Sequence, residues 1–339
     1  MKHINLKNMD VAIPRLGLGC MGMSEFYGPA VPQDKAVKVM RTAYESGVRM
    51  FDTADFYGNG ENERLIGRFL RSGIKDLCVA TKCGIVRGQE VLADGNFRRE
   101  YNNSPKYIKY SCEQSLQRLG VECIDLFYLH RIDPTVPIED SVGAISSLIK
   151  EGKVKAIGLS EASVDTIERA NRVHPISALQ TEYSIWSRGV EQEILPKCRE
   201  LGITFIAYSP LGRGMVPRSQ GSHTFDFDSR DFRLSLERAT PENIYKNQYL
   251  YDFLYDVSTS LNISPFQLML AWLLSQGDDI LPIPGTTSVE NVLANIDAGN
   301  LELDSSIIQQ LSSVFSPDNI AGGRYTVNKA VASNAAEMT

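Results

Sequence analysis

The residues 51–58, Phe51-Asp52-Thr53-Ala54-Asp55-Phe56-Tyr57-Gly58, set a carboxylate where an apolar strand ends and a tyrosine five positions later on the following loop. The loop then runs into a helix opened by Glu61, Asn62 and Glu63. A tyrosine is a poor proton donor at neutral pH unless a neighbour stabilises its phenolate. Other strand ends offer that neighbour. Lys82 closes one apolar run, His130 another and Ser160 a third, Gln180 lies within a fourth, and Tyr208-Ser209 close a fifth. On one rim, a lysine paired with Asp52 stays charged and pulls down the pKa of Tyr57. Tyr57 then protonates a carbonyl oxygen that is becoming an alkoxide, while His130 hydrogen-bonds the same oxygen and orients the substrate.

That chemistry requires a fold that brings strand ends together. From Arg15 onward the chain alternates short apolar runs with amphipathic stretches. Strands are predicted over 16–20, 48–52, 77–82, 124–130, 154–160, 178–182, 203–209 and 280–283. The helices between them carry start and stop signals. Ser104-Pro105 opens one whose stripe is Ile108, Cys112, Leu116 and Leu119, with Gly120 closing it. Another ends at Gly47 with Val37, Met40 and Tyr44 on one face, and a third ends at Gly152 with Val142, Ile145 and Ile149. Ser264-Pro265 opens a helix with Leu268 and Trp272, and Ser288 precedes Val289, Val292 and Ile296. Strands buried on both faces read as continuous apolar runs. Eight strand–helix units imply an α/β fold, a closed (β/α)8 TIM barrel forming one domain over 1–339, whose strand carboxyl ends face the chemistry. An open doubly wound sheet fits less well, because Gly19-Cys20-Met21-Gly22-Met23 after the first strand does not spell GxGxxG. Residues 1–14 read as a hairpin around Asn8-Met9-Asp10, and 15–300 as the barrel. Residues 304–315 read as an extra helix, and 316–339 as a tail whose early part, with the polar excursion 212–240, lies over the barrel mouth.

Composition narrows the class. The chain has 339 residues, 43% of them hydrophobic, enough for a large core, and a net charge of −6. The acidic balance argues against nucleic acid or an anionic membrane as partner. No apolar run approaches the ~20 residues of a membrane span, and the first residues lack a signal-peptide core. The six cysteines form no disulfide framework. A reduced cytoplasmic setting is expected. No metal is expected either, since the four histidines and the cysteines lack ligand spacing. No GxSxG elbow supplies an acyl-transfer nucleophile.

Nearly end to end, the chain resembles the aldo-keto reductase superfamily. The resemblance rests on Gly17-Leu18-Gly19-Cys20-Met21-Gly22, on 51–58, 116–130 and 157–160, on Leu179-Gln180, and on 208–214 and 283–295. Within it, Leu129-His130-Arg131-Ile132-Asp133, Gly158-Leu159-Ser160-Glu161-Ala162-Ser163 and Pro282-Ile283-Pro284-Gly285-Thr286-Thr287 are similar to the pyridoxal-reductase and plant perakine-reductase branch. The resemblance implies a catalytic tetrad of Asp52, Tyr57, Lys82 and His130. It also implies NAD(P)H, with NADPH preferred and NADH possible, extended across the barrel mouth. Ser160 and Gln180 are then expected at the carboxamide, Tyr208 stacked on the nicotinamide, and Cys20, Met21 and Asp52 alongside. Ser209, Pro210, Leu211, Gly212, Arg213 and Gly214 are expected to wrap the pyrophosphate. Ile283, Gly285, Thr286, Thr287, Asn291 and Asn295 are expected toward the adenosine.

Three departures bear on these expectations. Glu161 follows Ser160 where the family often has Asn. Gly285 and Asn291 stand where many members carry Lys and Arg around the 2′-phosphate. The branch's Thr-Thr-Lys is Thr286-Thr287-Ser288 here. Losing cations beside a dianion weakens preference for the phosphorylated cofactor, whereas helix amides near Ser288 bind phosphate unaided.

The substrate is expected to be a small carbonyl compound, held by Phe26, Tyr27, Phe56, His130 and Trp186, with Met21, Arg324 and Tyr325 at the edge. Such a pocket suits aldehydes or flat ring carbonyls. Two other functions fit parts of the pattern. One is a cofactor-occupied regulatory subunit with little turnover, like the potassium-channel β-subunits that look like this family. The other is a barrel glycosidase, which needs a second carboxylate, and Glu182 is the obvious candidate. Whether the chain is a monomer or a homo-oligomer stays open.

Overall fold

The computed structural model describes residues 1–7, 9, 12–91, 97–222 and 224–324. Asn8, Asp10 and Val11 of the expected hairpin, and residues 325–339 of the expected tail with Tyr325, lie outside the described residues.

Twelve strands occur among the described residues: β1 (His3–Asn5), β2 (Ala12–Pro14), β3 (Leu18–Gly19), β4 (Met50–Asp52), β5 (Cys78–Cys83), β6 (Ile85–Val91), β7 (Phe97–Tyr101), β8 (Ile124–Leu129), β9 (Val154–Ser160), β10 (Ala178–Glu182), β11 (Thr204–Tyr208) and β12 (Ile280–Pro282). The helices are α1 (Gln33–Glu45), α2 (Glu61–Leu70), α3 (Pro105–Leu119), α4 (Ile138–Lys150), α5 (Val164–Val173), α6 (Ile194–Leu201), α7 (Pro241–Lys246), α8 (Gln248–Ser260), α9 (Pro265–Leu274), α10 (Val289–Ala298) and α11 (Ser305–Val314).

Eight strands pair in parallel in the order β3-β4-β5-β8-β9-β10-β11-β12. The ring closes where the Gly17 N–H donates to Pro282 O at 2.9 Å and Gly19 bridges Gly285. All eight predicted strands are present. The first shortens from five residues to two because its partner edge holds Pro282 and Pro284, which have no N–H to continue the ladder. β1 and β2 pair antiparallel, with Ile4 opposite Ile13. Their apolar side chains pack with the inward residues Met50, Cys78, Leu126 and Ala178, so the hairpin plugs the amino-terminal end of the barrel.

The helix signals act as expected. The Ser104 hydroxyl accepts from Tyr107 N, Gly120 ends α3 at φ 70°, and Ser264 with Gln267 forms a capping box on α9. In α1 the buried face is Ala36, Val39, Met40 and Ala43, with Val37 and Tyr44 at its margin.

The hairpin β6–β7 was not predicted. Its sequence reads as a charged loop, and its pairing brings Ile85 opposite Tyr101 and Arg87 opposite Arg99.

Candidate active site

Side-chain alternation assembles the site. Met50, Ala80, Tyr128, Ala178 and Ile206 point into the barrel. Two positions further on, with the same orientation, come Asp52, Lys82, His130, Gln180 and Tyr208. Ser160 lies opposite Gln180 in the β9–β10 register. Parallel pairing holds all of these at the carboxyl ends of the strands.

Lys82 is fully buried, its Nζ donating to Asp52 Oδ1 at 2.5 Å and to Thr53 O at 2.7 Å. The second Asp52 oxygen accepts from Gln180 Nε2 at 2.8 Å. β10 lies opposite β4 in the ring, so this bond spans the barrel. Gln180 therefore steadies the carboxylate, a role the sequence reading had not given it. The Lys82 ammonium sits 5.1 Å from the Tyr57 ring centroid, close enough for its charge to act on the phenol. Burial alone would strip the charge from Lys82, but Asp52 and Tyr57 outweigh it and raise the ammonium pKa.

The expected net lowering of the Tyr57 pKa does not occur. Burial raises the phenol by more than Lys82 draws it down, so Tyr57 is a neutral acid at pH 7. The His130 ring meets Tyr57 edge-on, with centroids 5.5 Å apart. Burial, then Lys82, Arg131 and Arg99, hold its pKa well below the usual value, so the imidazole is neutral. Its buried Nδ1 has no partner among the described residues.

The loop carrying Tyr57 is fixed from beneath. Thr53 Oγ1 donates to Asn62 Oδ1 at 2.6 Å. The Asn62 amide nitrogen donates to Cys20 O at 2.8 Å and Ser24 Oγ at 2.7 Å. The fully buried Glu63 accepts from Thr81 and Arg118. Phe26, Phe56, Tyr57 and Met21 form one aromatic shelf with Ile85 and Tyr101. Tyr27 packs on Phe232 and Arg233, and Phe232 also meets Phe26 edge-on at 6.2 Å.

Trp186 is one of the expected substrate contacts. It is buried among Tyr251 and Phe315, directly under Gly212, where any Cβ would strike its ring. Its bulk supports the 209–214 loop, and the tight β-bridge between Ser184 and Ser187 folds it into the main core.

On the opposite side of the mouth lies a buried ionic cluster. Arg213 Nη2 meets Glu182 Oε2 at 2.5 Å, and Arg324 Nη2 donates to Glu161 Oε1 at 2.9 Å and to the Tyr208 hydroxyl at 3.2 Å. Burial would raise the Glu182 carboxyl, but Arg213 and Arg324 overcome it and hold it at about 2. An acid committed to two arginines is unsuited to the glycosidase role weighed for Glu182. Arg213, expected at a pyrophosphate, is here paired with the buried Glu182. The amides of Gly212 and Gly214 donate to Ser209 O and Leu211 O, so the glycines serve the turn, at φ 54° and 70°.

Glu161 adopts φ 55°, a backbone region that Asn tolerates better than Glu. Bonds to Glu182 N and Arg324 hold it there. Its Oε2 is buried without a hydrogen-bond partner among the described residues. A primary carboxamide carries the N–H donors such an oxygen lacks, so the rim beside Ser160 fits a nicotinamide.

At the far end, Gly285 meets Gly19 backbone to backbone, and Thr286 and Thr287 follow it on the way to α10. The Ser288 hydroxyl accepts from Asn291 N and donates to Glu290. Asn291 is exposed and Asn295 buried. Ile283 and Cys20 are buried, Pro210 is buried, and Ser209 takes φ 49°.

The model of the Aldo/keto reductase family matches residues 15–315, and the chain belongs to that family. Among solved structures it is similar to the glycerol dehydrogenase of Gluconobacter oxydans, with 25% identity, 93% of this chain and 96% of that one covered, and a TM-score of 0.82. It is also similar to the holo form of an aldo-keto reductase from Bacillus halodurans, with 27% identity, 92% and 96% covered, and a TM-score of 0.69. An aldo-keto reductase from Klebsiella pneumoniae, solved with NADPH, shares the fold at 23% identity, 93% and 95% coverage and a TM-score of 0.70.

Proposed function

We propose that the protein reduces aldehydes or ketones to alcohols with a nicotinamide nucleotide, and that Tyr57 is the general acid. The observation that carries this reading is the chain Gln180–Asp52–Lys82–Tyr57, which holds a charged ammonium against a neutral phenol in a buried pocket. When bound, the nucleotide supplies the hydride. Tyr57 donates its proton to the carbonyl oxygen, and Lys82 stabilises the phenolate left behind. Asp52 keeps Lys82 charged, and neutral His130 offers the same oxygen a ring N–H.

Ser160, Glu161 and the Tyr208 ring are the residues suited to the nicotinamide end. NADPH is the proposed cofactor, and the motifs around His130, Ser160 and Gly285 are similar to those of the pyridoxal-reductase and perakine-reductase branch. Glu290 in the first turn of α10 tempers that preference, since a carboxylate there opposes a 2′-phosphate. Fluorescence titration with NADPH and NADH, followed by a carbonyl panel with the tighter nucleotide, tests the proposal. Binding of NADPH and reduction of 4-nitrobenzaldehyde are expected; no binding of either nucleotide would refute it.

A further inference from the structure

Three buried hydrogen-bond donors lie on neighbouring side chains behind the 209–214 loop. Trp186 is 2% exposed, and its indole Nε1 has no hydrogen-bond partner among the described residues. Tyr251, on α8, is 1% exposed, and its hydroxyl is likewise unpartnered. The two rings pack with their centroids 5.3 Å apart. Arg238 is the third donor, 8% exposed, with its guanidinium 6.0 Å from the Trp186 ring centroid. Among the described residues its one hydrogen bond runs from Nε to Gly322 O at 3.3 Å. Its charge also acts on the Tyr251 hydroxyl.

No carboxylate pairs with Arg238 among the described residues. Glu182 acts on it most strongly, yet that acid is already held by Arg213 at 2.5 Å and Arg324 at 3.5 Å. Glu237, its neighbour in the chain, is exposed and accepts from Gly323 N. Burial therefore pulls the Arg238 pKa down to about 10 despite the support of Glu182. A buried cation without its own counter-charge and two buried donors without acceptors each cost stability. Packing alone does not explain them, because Met and Phe fill such space without a polar atom. The other tryptophan, Trp272, donates to Ser312 Oγ at 3.0 Å, and the buried Tyr183 donates to Glu191. The position is also telling. A Cβ on Gly212 would stand 3.2 Å from Trp186 Nε1, so the indole N–H lies directly behind the glycine turn.

We infer that Arg238, Trp186 and Tyr251 form a binding site for a phosphate-type oxyanion behind the 209–214 loop. A guanidinium, a phenol O–H and an indole N–H make a donor set for such a group, with the guanidinium supplying the charge-assisted bonds. The oxyanion comes either from free inorganic phosphate or from a phosphate group of the nucleotide. The site itself does not rest on the carbonyl-reductase reading.

The test follows the melting temperature of the full chain as sodium phosphate is added, with ionic strength held by bulky gluconate. Wild type, Arg238→Met and Tyr251→Phe are compared. Phosphate at 20 mM is expected to raise the wild-type value by about 2 °C and to change its tryptophan fluorescence. The response should shrink in Tyr251→Phe, which keeps the packing and so remains informative if the arginine variant misfolds. It should vanish in Arg238→Met, whose melting temperature without phosphate should match or exceed that of wild type, since an unpaired buried charge is gone. NADP+ separates the two sources. If NADP+ abolishes the phosphate response and binds Arg238→Met about tenfold more weakly, the site takes a nucleotide phosphate. Additive responses to NADP+ and phosphate make it a separate site for the free anion. A phosphate shift of equal size in all three proteins, or none in wild type, with NADP+ affinity unchanged in both variants, would overturn the inference. A wild type that binds no nucleotide would instead remove the cofactor reading, and the phosphate titration would still decide this site.

Discussion

At the residue scale, the tetrad side chains do different jobs because their surroundings differ. Lys82 carries its charge in a dry site because Asp52 and Thr53 O accept hydrogen bonds from its ammonium, and Gln180 keeps Asp52 in place. Asp55, two residues before Tyr57, has no such partner. Its Oδ2 accepts from Ser111 at 2.6 Å, its Oδ1 has no partner among the described residues, and burial lifts its pKa to about 7. A carboxyl raised in the folded state favours folding at low pH, and that contribution is lost as pH climbs from about 4 through 7. Asp55→Asn is therefore expected to stabilise the protein by roughly 4 kcal/mol at pH 8 and hardly at all at pH 4, measured by urea unfolding. Glu290 yields a second prediction. Glu290→Lys exchanges an opposing charge for an attracting one at the start of α10, and should raise the NADPH-to-NADH ratio of kcat/KM about tenfold. An unchanged ratio would place the 2′-phosphate elsewhere.

At the element scale, the carboxyl-terminal segment is threaded to the mouth by polar bonds. Asn247 exchanges two hydrogen bonds with Ala321, at 2.9 Å and 2.8 Å, and Gly323 N donates to Glu237 at 2.9 Å. This path delivers Arg324 to Glu161, Glu182 and Tyr208. Arg324→Met should lower stability by about 2 kcal/mol at pH 7. Glu182 is held at about 2 against an ordinary 4.5, so its contribution is present above pH 4.5 and lost as pH falls toward 2. The gap between variant and wild type should narrow accordingly in acid, as read from melting temperatures at pH 7 and pH 3.5.

The barrel strands were legible in sequence because each is a short apolar run bounded by helix signals such as Ser104-Pro105 and Gly120. Strand ends rich in polar groups made Asp52, Lys82 and His130 stand out. The β6–β7 hairpin was not legible, because Arg87, Arg98 and Arg99 look like solvent-facing loop until the aromatic shelf beneath them is known. The burial of Trp186 and the pairing of Arg213 with Glu182 were equally hidden, since both depend on partners far away in sequence.

At the scale of the whole molecule, one closure organises the site. Gly19 and Gly285 approach backbone to backbone, and a Cβ on Gly19 would stand 2.8 Å from Ile283 O. Gly19→Ala should cost about 3 kcal/mol by wedging the first and last strands apart, and full stability in that variant would mean the seam is looser than described. The ring so closed fixes the distance between β4 and β10, and with it the bond from Gln180 to Asp52 on which the charge of Lys82 depends.

The most direct test of Tyr57 as the proton donor is the single-turnover rate of NADPH oxidation by Tyr57→Phe, alongside nucleotide affinity, with 4-nitrobenzaldehyde as substrate. The rate should fall about a thousandfold while the NADPH dissociation constant stays within about twofold of wild type. A variant that keeps most of the wild-type rate would contradict the assignment of Tyr57 as the acid.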